Sequence, residues 1–289
     1  MSNMLRTTLL LAALTGLMVG LGQMLGGSQG AVMALVLSIA MNFGSYWFSD
    51  KIVIRAYGAQ EIHEQDDPEL YGIVKGLAQR NQMPMPRLYL IPSDSPNAFA
   101  TGRNPEHAAV AVTAGIRRLL SRRELEGVLA HEIAHVTNRD ILTSSIAATL
   151  AGAIMTLARM AQWGMMFGGG RRDEREEGGG ALGLLVSMIV APLAASLIQM
   201  AISRSREFQA DDTGARLVRD PEALASALQK IAGGAAQVPL DASPQTAHMF
   251  IINPLRASML QNLFSTHPPL EERLERLQRV ATELGLAAR

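Results

Sequence analysis

Two uncharged apolar runs, residues 7–25 and 31–48, crowd the first fifty positions of the chain. Each is close to the ~20 residues a helix needs to cross a hydrocarbon core. Residues 26–30 form a short polar turn between them, so the pair reads as a helical hairpin. Arg6 gives the first run the positive start of a cleavable signal, but a second apolar run at once afterwards argues for two retained anchors. Arg6 precedes the hairpin, Lys51 and Arg55 follow it, and the turn is uncharged. Basic flanks prefer the cytoplasm, which puts both ends inside and the turn outside.

Two further apolar runs, 141–167 and 181–202, flank a glycine-bordered charged loop at 168–180. Arg159 in the first is costly at mid-membrane. Pro192 in the second is tolerable in a membrane helix. The pair either spans twice or packs as a hairpin against protein, and both arrangements return the chain to the side it left. The expected count is therefore two to four transmembrane helices. The organisation reads as an anchor (1–50), a soluble part (51–140), the second hairpin (141–202) and a second soluble part (203–289).

The whole-chain averages, 48% hydrophobic and 18% charged, conceal this division. Basic and acidic residues balance at 26 each, which argues against nucleic acid as a partner. Cysteine is absent, which excludes a disulfide framework and any cysteine-ligated metal.

Within the soluble parts, Asp67-Pro68 opens a helix to about Gln82, and Asp220-Pro221 opens another that Gly233-Gly234 closes. Residues 87–91 and 108–113 read as strands, with 53–56 a weaker third. Residues 269–284 read as an amphipathic helix stopped by Gly285. The fold class is α+β, mainly helical.

His131-Glu132-Ile133-Ala134-His135 has the form H-E-x-x-H. On a helix, histidines at i and i+4 share a face and can turn their nitrogens to one metal. Ser121 and Glu124 form a capping box that would start that helix, and Leu125, Val128 and Leu129 continue it as an apolar stripe. Glu132, beside the first histidine, can take a proton from an attacking water and pass it to a leaving amine. A catalytic zinc takes three protein ligands. Asn138 and Ile141 stand where a metzincin would have glycine and its third histidine, so that class is excluded. Glu207 and Asp211, at i and i+4, can supply the third ligand and a carboxylate that orients a ligand histidine. A charged helix whose arginines pair with those acids fits the same spacing.

These pieces resemble family M48 of the gluzincin metallopeptidases, in particular its HtpX-type membrane proteases. The resemblance extends from the amino-terminal hairpin through Asn97-Ala98-Phe99-Ala100-Thr101-Gly102 and the H-E-x-x-H run ending Asn138-Arg139-Asp140. It continues in the second hydrophobic pair, in Arg206-Glu207-Phe208-Gln209-Ala210-Asp211, and in Thr266-His267-Pro268-Pro269 with Arg273. It implies His131, His135 and Glu207 as ligands of one zinc and Glu132 as the general base. It also implies a small sheet beside two active-site helices and a role in clearing damaged membrane proteins. The corresponding setting is a bacterial inner membrane, with the catalytic part facing the cytoplasm and polypeptides as substrates.

Around that core, Asn97, Asn138, Asp211, His267 and Arg273 form a wider set that would serve ligands or substrate. Asn97 leads towards the 108–113 strand, beside which an extended peptide can add. His267 would bind a transition-state oxygen, gate the metal's open position, or merely sit in a turn. Arg273 would be a cation for the site or a surface partner of Glu272 or Glu275. His63, His107 and His248 have no partner pattern. Competing readings are a prenyl-protein endopeptidase, which needs more membrane helices, and a scaffold with a structural metal, which needs no Glu132.

Overall fold

A computed structural model describes residues 3–151, 204–238, 249–252 and 268–286. Most of the second hairpin, with Arg159, Pro192 and the 168–180 loop, lies outside the described residues, as do His248 and His267.

Helix α1 (Asn3–Ala56) doubles back at Gly27, where φ is +59°, a value glycine adopts without steric cost. Asn42 Nδ2 donates a 2.9 Å hydrogen bond to Thr15 Oγ1, 27 residues away. On a straight helix those residues would be about 40 Å apart. The two arms therefore lie side by side, touching where Gly22 and Gly30 leave no Cβ between the backbones. The second arm, Gly27–Ala56, has the length and composition to cross a membrane, and Val32, Met33, Val36, Ile39 and Phe43 are exposed on it.

The strand expected at 53–56 is instead the end of α1. Its β-branched residues obey tertiary packing rather than local preference: Val53 and Ile54 are buried against the sheet. That sheet comprises β1 (Gln60–Ile62), β2 (Arg87–Ile91), β3 (Ala98–Gly102) and β4 (Ala108–Thr113), in the order β1-β2-β4-β3. Only the β2–β4 pair is parallel. Alternation along the strands separates two cores. Leu88, Ala98, Ala100, Val110 and Val112 face the helices, while Tyr89, Ile91, Phe99, Ala109 and Ala111 meet the end of α1.

On the helical side lie α2 (Pro68–Arg80), α3 (Ala114–Leu119), α4 (Arg122–Thr137), α6 (Arg204–Val218), α7 (Pro221–Gln237) and α8 (Leu270–Glu283), while α5 (Ile141–Ala151, as far as it is described) contributes Ile141 to the helix-side core and Ala148 to the core at the end of α1. Helix α7 runs through Gly233-Gly234, where the sequence suggested a stop. Neither glycine has the positive φ that a terminating cap requires, and Gly234 packs closely on Pro96. Helix α8 does end at a glycine, Gly285, with φ +69°.

Candidate active site

Helix α4 carries the motif and is fixed at both ends. At its start the Ser121 and Glu124 side chains exchange hydrogen bonds with each other's backbone N–H. Glu124 also accepts from Ser226 Oγ at 2.6 Å and Lys230 Nζ at 2.9 Å, tying α4 to α7. Burial resists ionisation there, but these donors hold the Glu124 carboxyl down at about 2. Leu125, Val128, Leu129, Ile133 and Val136 are fully buried along the helix. Arg139, at φ 57°, then turns the chain back, and the Asp140 N–H reaches His135 O at 3.3 Å.

The neighbouring helix comes unusually close. A Cβ at Gly214 of α6 would stand 2.8 Å from the backbone nitrogen of His131, so only glycine lets α6 cross α4 at that depth. The same buried face of α6 carries Glu207 and Asp211 to the histidines. Nε2 of His131 and Nε2 of His135 are 3.1 Å apart. Glu207 oxygens lie 3.9 Å from the first and 3.7 Å from the second. Donors on one tetrahedral ion with bonds of ~2.0 Å are separated by roughly 3.3 Å, so this set fits a metal such as zinc.

Each imidazole has a carboxylate behind it. Asp211 Oδ1 is 2.9 Å from Nδ1 of His131, and Asp140 Oδ2 is 3.1 Å from Nδ1 of His135. An imidazole protonated on Nδ1 alone, the form a metal requires here, would present its Nε2 lone pair to the shared space with a carboxylate behind it. Asp211 is itself gripped by Arg273, at 2.8 Å from Nε and 2.7 Å from Nη2.

Burial lowers the His131 pKa despite Asp211, favouring the neutral imidazole. At His135 burial also opposes charge, but Asp140, Glu207 and Glu132 overcome it and raise the ring to about 10. That cluster of buried carboxylates attracts a cation. Asp211, ionised against burial by Arg273, sits at about 2. Glu132 is pushed up to about 7 by burial, with Glu207 adding to it. Neither Glu132 carboxylate oxygen has a hydrogen bond of good geometry among the described residues, and the backbone N–H of Ala100 supports the carboxylate only weakly. A buried acceptor left so costs about 1–3 kcal/mol, a mark of a group waiting for a ligand.

The cavity at the histidines is small, about 30 Å³, bounded by Ala100 of β3 and by Met249, Phe250 and Ile251. It accommodates an ion or a water and not a peptide. Ile251 N–H donates to Ala98 O on the edge of β3 at 3.1 Å, and Phe250 stacks edge-on to Phe99 at 5.2 Å.

The structure thus gathers His131, Glu132, His135, Glu207 and Asp211, with Arg273 behind Asp211, while Asn97 and Asn138 make their contacts away from the shared space and His267 lies outside the described residues. Arg273 is neither a surface partner of Glu272 or Glu275 nor a cation in the cavity. It is buried, and beyond Asp211 its Nη1 reaches Ile251 O at 2.8 Å. Asn97 holds Ile252 O through its Nδ2 at 3.0 Å, and the backbone of Asn138 caps α4. His107 is at the surface with Asn104, and His63 is exposed. The sequence reading gave no role to Asp140. Its signal was present: a carboxylate just past the helix end, when each ligand histidine needs one behind it.

The model for peptidase family M48 matches residues 64–281. The chain is 60% identical over 280 residues to a "Protease HtpX homolog" of Syntrophobacter fumaroxidans, covering 96% of this chain and 99% of that one. A protein of the same description from Thermococcus kodakarensis is 53% identical over 283 residues, covering 98% and 97%. The crystal structure of S. mikatae Ste24p shares the fold, with a TM-score of 0.53 at 18% identity over 95% of this chain. This chain spans 65% of that structure's length. A buried H-E-x-x-H helix, a third acidic donor and these relatives agree: the chain belongs to peptidase family M48, with the HtpX-type proteases, and is a metallopeptidase.

Proposed function

We propose that this chain is a membrane-anchored zinc endopeptidase that clears misfolded or damaged membrane proteins from the cytoplasmic face of a bacterial inner membrane. The observation that carries the reading is the buried, poorly hydrogen-bonded Glu132 carboxylate beside the donor set of His131, His135 and Glu207. Zinc held by those three residues supplies Lewis acidity towards a scissile carbonyl and an attacking water. Glu132 takes the proton from that water and delivers it to the departing amine. A carboxylate positioned beside the donor set can both accept that proton and return it. Asp211 and Asp140 keep the imidazoles in one tautomer throughout, and Arg273 keeps Asp211 ionised.

Substrate preference follows from β3. Thr113 N–H donates to Asn97 O, and pairing alternates, so Asn97, Phe99 and Thr101 face β4. The backbone groups of Ala98 and Ala100 then point to the free edge beside the cavity. A peptide added there is bound through its backbone, which tolerates many sequences. It must first displace Ile251 from Ala98 O. Only a chain segment not already paired in a sheet or helix can lie as an extra strand, which selects unfolded or loosened proteins. The apolar arm Gly27–Ala56 holds that edge near a bilayer.

Reconstitution with a helical membrane protein in stable and destabilised forms tests the reading. The destabilised form should be cut, in its segments on the catalytic side, and the stable form spared. Equal cleavage of both, or of neither, contradicts it.

A further inference from the structure

The last turns of α1 border a second cavity, of about 420 Å³, lined among others by Asp50, Lys51, Ile54, Arg55, Arg87 and Tyr89. Its charges do not cancel. Asp50 is committed to Arg87, with 2.7 Å between Oδ2 and Nη2. Glu61 takes the Tyr89 hydroxyl at 3.3 Å. Lys51 and Arg55, one helical turn apart, are exposed, and no carboxylate pairs with either among the contacts described. On the amino-terminal side of this basic pair stands an exposed aromatic group: Phe43, Tyr46, Trp47 and Phe48. The Arg103 guanidinium stacks on Trp47, 4.6 Å from the ring centre, and the Lys51 ammonium lies 5.7 Å from that of Phe48.

Aromatic side chains with an apolar body gather at the level of lipid headgroups, and cations just beyond them meet the phosphates. The cavity stands one turn past the aromatic group, and Phe43, Trp47, Lys51 and Arg55, each four residues from the next, share one face of α1. A zwitterionic headgroup brings its own cation towards Lys51 and Arg55, whereas a phosphatidylglycerol does not. We propose that this cavity binds the phosphate of an anionic phospholipid, whose acyl chains lie along Phe48 and the exposed face of α1. The proposal rests on the membrane placement of α1 proposed above. It would set the depth and tilt of the catalytic part against the bilayer, since Val53 and Ile54 fix the same helix end to the sheet.

Trp47 is a built-in reporter. The chain has two tryptophans, and Trp163→Phe leaves one. Full-length protein carrying that change is reconstituted in phosphatidylcholine vesicles containing acyl-brominated phosphatidylglycerol or acyl-brominated phosphatidylcholine, and quenching is followed against bromolipid fraction. Two basic residues at headgroup depth predict a preference for the anionic lipid on the order of tenfold. Lys51→Gln with Arg55→Gln should bring the two lipids to parity, and Lys51→Arg with Arg55→Lys should keep the preference. Equal quenching by both lipids, or a preference unchanged in the glutamine pair, overturns the site. Loss of the preference on adding inorganic phosphate at constant ionic strength makes it a free-phosphate site and overturns the lipid assignment. Quenching by neither lipid overturns the membrane placement of α1 itself.

Discussion

Glu132 is where the chemistry and the stability of the protein conflict. In the metal-free protein its carboxyl is raised from the usual 4.5 to about 7, chiefly by burial. The folded state thus binds that proton more tightly than the unfolded chain, an advantage present below pH 4.5 and lost as pH rises through about 7. The difference is worth roughly 3 kcal/mol at 1.36 kcal/mol per pH unit. Glu132→Gln has no proton to lose, so it should raise the Tm of metal-free protein at pH 8 and leave it nearly unchanged at about pH 4. Parallel pH profiles of parent and variant would remove the burial argument. Asp140 and Asp211 make a second comparison. Asp140→Ala should weaken metal binding about 10–100-fold, as loss of a carboxylate behind a ligand histidine does. Asp211→Ala should do that and also destabilise the fold by ~3–5 kcal/mol, because it leaves the Arg273 guanidinium buried and unpaired. Metal titration alongside thermal unfolding separates the two, and equal stability losses would contradict the assignment.

At the scale of elements, the site is a crossing of α4 and α6 set by Gly214. Gly214→Ala should cost about 1–3 kcal/mol as an overpacked contact and weaken metal binding, because α6 must back away with Glu207. Unchanged metal affinity in this variant would mean that the crossing does not position the ligand. This dependence also explains what the sequence revealed and what it did not. H-E-x-x-H was legible because i,i+4 spacing is local geometry, and the box at Ser121 and Glu124 is local as well. Strands β2 and β4 were legible from their own residues. Strand β3 was not: Ala-Phe-Ala-Thr-Gly becomes a strand through pairing with β4. Residues 53–56 failed in the opposite sense, since burial against the sheet overrode a β-branched run. Arg273 was unreadable from local charge, because Asp211 lies 62 residues away in the chain and adjacent in space. Asp140 needed the reversal at Arg139, which no residue type announces.

For the whole molecule, the three donors of the metal site must share one compartment, so an even number of crossings, two or none, is expected of the 141–202 segment. On the topology proposed above, the basic flanks of the first hairpin put that compartment in the cytoplasm. The native chain has no cysteine, so single cysteines report position without background. A membrane-impermeant thiol reagent on intact cells should label Ser28→Cys and miss Ser243→Cys, and the reverse pattern would invert the topology. All of this presumes that His131, His135 and Glu207 hold a metal and that Glu132 moves the proton. The most direct test compares wild type, Glu132→Gln and Glu207→Ala, purified in parallel, for bound zinc by elemental mass spectrometry and for cleavage of a loosely folded polypeptide. Glu132→Gln should retain its zinc and lose about a hundredfold to ten-thousandfold in rate, while Glu207→Ala should lose both zinc and activity. A Glu132→Gln protein that cleaves at the parental rate, or a Glu207→Ala protein with undiminished zinc, would contradict the account.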